Sequence, residues 1–294
     1  MKIKPWIEAM RLRTLPVSIA GVAGGLACSL AYGYFRFLPF IICLIFALLA
    51  QIVSNFANEY YDFKSGIDRK GREGFRRGVT EGDIFPSAMK RATFILLAID
   101  CLIGLSLIIW GGWWLIFVGI VIALFALAYS AGPFPLSRRG LGDVAVVIFY
   151  GIVPVVFTCY LVSGNWDNVM FTVPVGFALG LLGDNVLIIN NYRDMEDDMK
   201  VGKITTVVML GRKIMRAFYF LNFTMALTVI AVFYVIFGNI LWLICWGVIE
   251  ILYIFVWVKT AEARGAQLNP LLKRTALLML LTCIGMVVAS ATSH

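Results

Sequence analysis

Residues 169–203 read VMFTVPVGFALGLLGDNVLIINNYRDMEDDMKVGK, an apolar stretch that runs without a break into a cluster of charges. The apolar part is continuous and does not alternate, which favours a helix in hydrocarbon over a half-buried strand. A helix needs roughly 20 such residues to cross a bilayer, because it rises only about 1.5 Å per residue. We therefore predict a transmembrane helix with a polar end.

The same pattern recurs along the whole chain. Of the 294 residues, 61% are hydrophobic and 14% are charged, whereas about a quarter of the residues in soluble domains are charged. Because backbone in lipid must satisfy its own hydrogen bonds, we predict an all-α, polytopic membrane protein of about nine helices around a central cavity. The predicted segments are 15–34, 38–57, 92–110, 112–130, 143–163, 169–191, 215–237, 240–258 and 274–292.

The positions of the basic residues predict the orientation in the membrane. Of the 25 Lys and Arg residues, all but Arg36 fall in the N-terminal tail or in the loops after the second, fourth, sixth and eighth segments. Basic loops stay on the cytoplasmic side, so Met1 is predicted to be cytoplasmic and His294 to lie on the opposite side. The net charge of +8 then reflects topology, and no nucleic-acid partner is expected. The tail around Trp6 is predicted to be an interfacial helix rather than a cleavable signal peptide.

Two polar clusters share one spacing. The first reads QIVSNFANEYYDFKSG over residues 51–66, and the second ends the stretch quoted above. Four positions match at one constant offset along the chain, namely Asn55 with Asn191, Asn58 with Asp194, Asp62 with Asp198, and Gly66 with Gly202. At about 100° per residue, the three polar positions of each cluster fall on one helical face. We therefore predict two polar stripes, each at the cytoplasmic end of its helix.

The residue types in the stripes favour a metal and a phosphate ligand. Carboxylate and amide oxygens without Cys or His suit Mg²⁺, which often combines one or two carboxylates with substrate phosphates. Basic residues near both clusters are suited to the remaining phosphate charge; they are Lys64, Arg69, Lys70, Arg72, Arg76, Arg77, Arg193, Lys200 and Lys203. The alternative is that the polar residues merely end two helices with ordinary C-cap glycines. The matched spacing favours the ligand site, since such groups are costly in lipid unless they are used.

At these residues the chain resembles the UbiA superfamily of intramembrane prenyltransferases, which carry an N-D-x-x-D-type motif after the second helix and a D-x-x-x-D motif after the sixth. It is most similar to the branch that prenylates 1,4-dihydroxy-2-naphthoate in menaquinone biosynthesis. Four segments carry this closer resemblance: RLRTLP at 11–16, QIVSNFAN at 51–58, YSAGPFPL at 129–136 and NNYRDMEDDMKVGKIT at 190–205. The chain departs from the family pattern at Glu59, where the family has Asp, and at 74–77, where it has GFRR for G-P-x-R.

The resemblance implies a reaction and roles for individual residues. A polyprenyl diphosphate would lose its diphosphate with the help of Mg²⁺, and the aromatic acceptor would attack the allylic cation and lose CO₂, giving demethylmenaquinone in a bacterial inner membrane. The implied metal ligands are Asn58, Asp62, Asp194 and Asp198, with Glu59 assisting indirectly. The implied catalytic residues are Asp62, Asp194, Asp198 and Tyr129, whose ring would face the cation. The implied substrate-binding residues are Arg11, Arg13, Asn55, Lys64, Arg77, Ser130, Asn190, Asn191, Arg193 and Lys203.

Several readings stay open at the level of sequence. Tyr129 also fits an interfacial anchor, and Arg11 and Arg13 fit simple topological anchoring. The acceptor could instead be 4-hydroxybenzoate, and two matched halves also fit a secondary transporter. We expect one membrane-embedded domain over residues 1–294, with halves at about 15–130 and 143–258 and a ninth helix at about 274–292. Three carboxylates lie within apolar segments, namely Asp100, Asp184 and Glu250, and no role is assigned to them.

Overall fold

The structure is a computed structural model that describes residues 3–71, 74, 76–167, 169–239 and 241–292. Across these ranges the chain forms helices and short connections, and the sole β-type pairing found there is a single bridge. The prediction of an all-α fold is therefore confirmed. The predictions for Met1, His294 and Arg72 concern positions outside the described residues.

Most of the predicted membrane segments are present as long helices. Within the described ranges, 8 helices are long and apolar enough to cross a membrane, and a shorter apolar helix, Leu115–Ala128, lies between the third and fourth of them. That helix has 14 residues and begins only after Gly112, whose φ of 85° is not helical. The predicted count of nine is therefore approximate.

The N-terminal part of the chain contains seven helices. They are α1 (Ile3–Ala9), α2 (Leu15–Ala31), α3 (Phe37–Lys64), α4 (Gly78–Glu81), α5 (Pro86–Ser106), α6 (Ile108–Gly111) and α7 (Leu115–Ala128). The C-terminal part begins with α8 (Gly142–Val146), which continues through the π-helical turn Val147–Ile152 into α9 (Val153–Ser163). The remaining helices are α10 (Val169–Lys200), α11 (Thr206–Ile236), α12 (Leu241–Lys259) and α13 (Asn269–Ala291). The division into two related halves stays a prediction.

Three helices extend beyond the predicted apolar segments. α3 continues from the predicted end at 57 to Lys64, and α10 continues from 191 to Lys200. α11 begins at Thr206 rather than at 215 and bends at Gly211, where φ is 76°. Hydropathy marks the part of a helix that lipid surrounds, whereas the backbone hydrogen bonds continue into polar sequence. Both polar clusters consequently lie on helices and not in loops.

The two helices that carry the clusters end in the same way. Gly66 follows α3 with a φ of 72°, and Gly202 follows α10 with a φ of 68°. The amide of Ile67 donates to the carbonyl oxygen of Asp62 over 3.0 Å, and the amide of Lys203 donates to that of Asp198 over 2.9 Å. A glycine is favoured after a helix because it adopts this left-handed conformation without a Cβ clash. The matched sequence spacing thus produces matched helix ends.

Glycines allow the π-helical turn after α8 to pack directly against α10. A Cβ added at Gly151 would lie 2.3 Å from the carbonyl oxygen of Gly176 and 2.3 Å from the Cα of Gly180. Small residues four apart on one helix allow the backbones of membrane helices to approach this closely. The contact holds the π-helical turn between α8 and α9 against the middle of α10.

Candidate functional site

A polar cavity of about 140 Å³ lies where the ends of α3 and α10 meet. Residues of both stripes line it, among them Asn55, Asn58, Asp62, Asn191 and Asp194. Of these, Asn55, Asp62, Asn191 and Asp194 are buried. The two stripes therefore face a common space.

The first stripe forms a chain of hydrogen bonds. The Asn58 amide nitrogen donates to the Asp62 carboxylate over 2.9 Å and to the hydroxyl of Ser130 over 3.1 Å. The Arg11 guanidinium donates to the Asn58 amide oxygen over 2.5 Å. Each of these bonds orients an oxygen or a nitrogen at the cavity, and together they bring the N-terminal segment and the end of α7 to the end of α3.

Arg11 is held in an uncommon backbone conformation. Its φ of 51° and ψ of 54° are left-handed, which residues with a Cβ rarely adopt. The turn is secured on both sides, because Asn55 donates to the carbonyl oxygen of Met10 over 2.9 Å and the Thr14 hydroxyl donates to that of Arg11 over 2.9 Å. A conformation of this kind costs roughly 1–3 kcal/mol and often occurs at functional sites. The hydrogen bonds that secure this turn keep the Arg11 side chain at the cavity.

Arg138 is the cation that pairs with the carboxylate of the first stripe. Its Nη2 donates to Oδ1 of Asp62 over 2.7 Å and to the carbonyl oxygen of Ser130 over 3.2 Å. Its loop is joined to the loop after α10, because Gly140 donates to the carbonyl oxygen of Ile204 over 2.9 Å and Ile204 donates to that of Arg138 over 3.3 Å. The loops that follow α7 and α10 are therefore joined by backbone hydrogen bonds beside the cavity.

The second stripe carries its cations within its own segment. Arg193 is 3% exposed and donates to both oxygens of Asp194, over 2.6 and 2.9 Å. The same guanidinium donates to Asn190 over 2.9 Å and to Asn269 over 3.0 Å. The Lys203 ammonium lies 3.3 Å from the carboxylate of Asp198. The neighbouring cations offset part of the cost of burying these carboxylates.

A larger apolar cavity adjoins the polar one. It measures about 410 Å³ and lies among α2, α3, α5, α7 and α9. Gln51, Ser54, Tyr129 and Tyr150 line both cavities. A ligand with a charged head and an apolar tail fits the pair of cavities.

The model of the family described as "UbiA prenyltransferase family" matches residues 17–284, which is most of the chain. The chain belongs to this family. The 1,4-dihydroxy-2-naphthoate octaprenyltransferase of Escherichia coli is 34% identical over 292 residues, covering 96% of this chain and 93% of that protein. The enzyme of the same name from Mycobacterium tuberculosis is 34% identical and covers 73% of this chain and 72% of that protein.

Solved structures of UbiA homologues show the same fold. A homologue from Aeropyrum pernix, solved without ligand, superposes with a TM-score of 0.70 at 16% identity, covering 92% of this chain and 96% of that one. A homologue from Archaeoglobus fulgidus bound to GPP and Mg²⁺ superposes with a TM-score of 0.67 at 13% identity, covering 97% of this chain and 99% of that one. The polytopic helical architecture is therefore that of intramembrane prenyltransferases.

Most of the residues singled out in the sequence lie around the cavity of this prenyltransferase. The remaining candidates that line it are Arg11, Arg77, Tyr129, Asn190 and Lys203. Ser130 and Arg193 contact residues of the stripes, as described above. Arg77 is also paired with Asp68 over 2.9 Å, which ties the loop after α3 to the start of α4.

Besides Ser130 and Arg193, four of the candidates are not among the lining residues. Arg13 and Lys64 are exposed, and Asp198 is buried beside Lys203. Glu59 is fully buried, and its Oε1 accepts a hydrogen bond of 3.0 Å from the amide of Val79 at the start of α4. Its place on the helix explains this, since Glu59 is rotated by about 100° from Asn58. The structure thus shows Glu59 holding α4 and not facing the cavity.

The oxygen donors of the two stripes fit Mg²⁺. In the described part of the chain, no group of three or more His, Cys, Asp and Glu side chains is arranged to hold a metal by itself. Mg²⁺ prefers one or two carboxylates completed by substrate phosphates. The carboxylates of Asp62 and Asp194, each paired with an arginine, are the lining groups best suited to such a shared site.

Sequence reasoning missed Asp143, which lines the cavity, and Arg138, which pairs with Asp62. Arg138 was counted among the basic residues that set topology, although it follows the YSAGPFPL segment by only two positions. Asp143 was taken as the first residue of an apolar segment. Nearness to a recognised segment was the available signal for both.

Proposed function

We propose that this prenyltransferase transfers a polyprenyl group from a prenyl diphosphate to 1,4-dihydroxy-2-naphthoate, with loss of CO₂, giving demethylmenaquinone in its hydroquinone form. The observation that carries the proposal is the polar cavity between the two carboxylate stripes, joined to an apolar cavity at Tyr129 and Tyr150. The acceptor is supported by the relatives from E. coli and M. tuberculosis, which are named for 1,4-dihydroxy-2-naphthoate.

The proposed reaction breaks the allylic C–O bond and forms a C–C bond to the acceptor ring. The diphosphate leaves with the bonding electron pair, the ring supplies the pair for the new bond, and the carboxyl group departs as CO₂. When bound by Asn58, Asp62, Asp194 and Asp198, Mg²⁺ would neutralise the leaving diphosphate. That cofactor assignment is supported by the A. fulgidus homologue, whose structure contains GPP and Mg²⁺.

Basic side chains of the chain itself bind the rest of the phosphate charge in this proposal. Arg138, Arg193 and Lys203 each lie beside a stripe carboxylate, at 2.7, 2.6 and 3.3 Å. An arginine binds phosphate through several parallel hydrogen bonds, whereas a lysine acts as a point charge. The three groups are thus positioned to stabilise negative charge as the C–O bond breaks.

The apolar cavity receives the polyprenyl tail. Its lining is dominated by aliphatic and aromatic side chains of the first five membrane helices, among them Val22, Phe46, Leu115, Phe149 and Leu161. Tyr129 and Tyr150 then flank the reacting carbon, because they stand where the apolar cavity meets the polar one. An aromatic face attracts a cation electrostatically, which stabilises the allylic cation.

We further propose that the chain is a multi-pass protein of a bacterial inner membrane with the site toward the cytoplasm. Reporter fusions at the two termini test this, with Met1 expected on the cytoplasmic side and His294 on the opposite side. Termini in one compartment would contradict the odd number of membrane crossings.

The acceptor is tested by incubating membranes that contain the chain with a prenyl diphosphate, Mg²⁺ and either 1,4-dihydroxy-2-naphthoate or 4-hydroxybenzoate. We expect a decarboxylated prenyl product from the naphthoate together with release of diphosphate, identified by mass. Prenylation of 4-hydroxybenzoate alone would replace the proposed acceptor. A membrane that moves substrate without releasing diphosphate would indicate a transporter, which family membership does not support.

A further inference from the structure

A third carboxylate faces the polar cavity outside the two stripes. Among the carboxylates that line it, Asp62 belongs to the first stripe and Asp194 to the second, whereas Asp143 stands at the start of α8. Asp62 and Asp194 are each held by an arginine. Asp143 therefore differs from them in both its location and its partners.

The partners of Asp143 are a hydroxyl and a second carboxyl group. The Thr206 hydroxyl lies 2.9 Å from each oxygen of Asp143, and as a donor it serves one of them at a time. The carboxyl group of Asp184, on α10, is the second neighbour of Asp143. Asp184 accepts a hydrogen bond of 2.9 Å from the amide of Asn222. Each of the two carboxyl groups therefore has a neutral side chain as its hydrogen-bond donor.

The pair is close to the place where the two cavities meet. A Cβ added at Gly142, the residue before Asp143, would lie 3.6 Å from the hydroxyl oxygen of Tyr129. Tyr129 lines both cavities, whereas Asp143 lines only the polar one. A ring that attacks a carbon near Tyr129 would thus have Asp143 beside it.

We infer that Asp143 accepts the hydroxyl proton of the aromatic acceptor and that Asp184, its neighbour on α10, helps to position it, an assignment that rests on the function proposed above. The alternative bases, Asp62 and Asp194, are engaged by arginines and aligned with the diphosphate site. Asp143 has neutral hydrogen-bond donors around it, which leave a lone pair for an incoming hydroxyl.

The proton and the electrons balance in this step. The acceptor O–H bond breaks, its proton passes to Asp143, and its electron pair raises the electron density of the ring. The ring carbon that bears the carboxyl group then forms the C–C bond to the allylic carbon as the C–O bond to diphosphate breaks. The bond from this ring carbon to the carboxyl group breaks next, CO₂ leaves, and the electron pair of that bond restores the aromatic ring while the ring oxygen takes its proton back from Asp143. The prenyl group has then replaced the carboxyl group, with no net loss of a proton from the acceptor.

The test compares Asp143→Asn with the parent chain on a series of acceptors. The series consists of 1,4-dihydroxy-2-naphthoate and ring-fluorinated analogues whose hydroxyls are more acidic. With the unsubstituted acceptor, we expect Asp143→Asn to lower kcat by about 100-fold or more, as loss of a general base does. The ratio of parent to variant kcat should shrink along the series, because an acceptor that is already ionised needs no base. The KM for the prenyl diphosphate should stay unchanged, since its binding groups are intact.

Controls separate this inference from folding and from the proposed function. Asp167→Asn, in the exposed loop after α9, should behave as the parent. If Asp143→Asn does not accumulate in the membrane, Asp184→Asn replaces it, with a smaller loss of kcat and the same shrinking ratio. A ratio that is constant across the acceptors, or an unchanged kcat, overturns the inference. Absence of product from the parent chain would instead overturn the proposed function.

Discussion

The two carboxylate stripes match in sequence and in helix geometry, yet they obtain their positive partners in different ways. Asp194 is bound by Arg193, its immediate neighbour, and Asp198 lies beside Lys203, five residues later. Asp62 is bound by Arg138, which is 76 residues away in the sequence. Asn58 is bound by Arg11, 47 residues away.

This difference indicates how each stripe depends on the rest of the fold. The second stripe keeps its cations whatever the position of α10, because Arg193 and Lys203 belong to the same segment as its carboxylates. The first stripe is completed only when the N-terminal segment and the loop after α7 reach the end of α3. We therefore expect the first stripe to be the more sensitive to changes in remote loops.

Removing a carboxylate from either stripe should have the largest effect. We expect Asp62→Ala and Asp198→Ala each to lower turnover by about 100-fold or more, because each removes charge that helps stabilise the departing diphosphate. Turnover is measured as diphosphate release with saturating substrates. Asp197→Ala is the matched control, since Asp197 pairs with Lys200 on the partly exposed side of α10. Near-normal turnover of either stripe variant at limiting Mg²⁺ would exclude that residue as a ligand.

Loss of the remote cation should come next. We expect Arg138→Gln to lower kcat/KM for the prenyl diphosphate by about 100-fold, because the charge beside Asp62 disappears. Arg139→Gln is the control, as Arg139 is exposed and lies over the ring of Phe134 at 5.2 Å. Equal effects of the two variants would show that the loop contributes only general positive charge.

A conservative change in the local cation should have a smaller effect. We expect Arg193→Lys to lower turnover by about 30-fold, since a lysine keeps the charge but cannot keep the paired bonds to Asp194 and the bonds to Asn190 and Asn269. The thermal stability of the Arg193→Lys variant in detergent should also fall. A variant that equals the parent in both respects would show that charge alone matters at this position.

Glu59 should give the smallest effect. Glu59→Gln keeps an oxygen that can accept from Val79, so we expect a loss of about 10-fold or less and an unchanged Mg²⁺ requirement. Asp62→Asn, measured in parallel, should lose far more activity and need more Mg²⁺. Equal losses and equal Mg²⁺ dependence in the two variants would identify Glu59 as a direct ligand.

The parts of the site that could be predicted are those that depend on one helix. The spacing of Asn58 and Asp62, or of Asn191 and Asp194, determines which side chains share a face, because the helical repeat is local. The pairing of Asp194 with Arg193 also follows from neighbouring positions. The extension of α3 to Lys64 was not predicted, since hydropathy reports the contact with lipid rather than the end of the helix.

Hydropathy is enough to predict a bundle of membrane helices, and the spacing of the polar residues is enough to predict matched stripes on two of them. The motifs alone reveal the similarity to prenyltransferases. The tertiary structure alone decided that Arg138 meets Asp62, that Asp143 faces the cavity beside Asp184, and that Glu59 turns toward Val79. The physical reason is the range of the interactions. Hydrophobicity and helical periodicity act over a few neighbouring residues. Contacts between loops depend instead on how closely the helices pack. The glycine contact between the π-helical turn after α8 and the middle of α10 helps to set that packing.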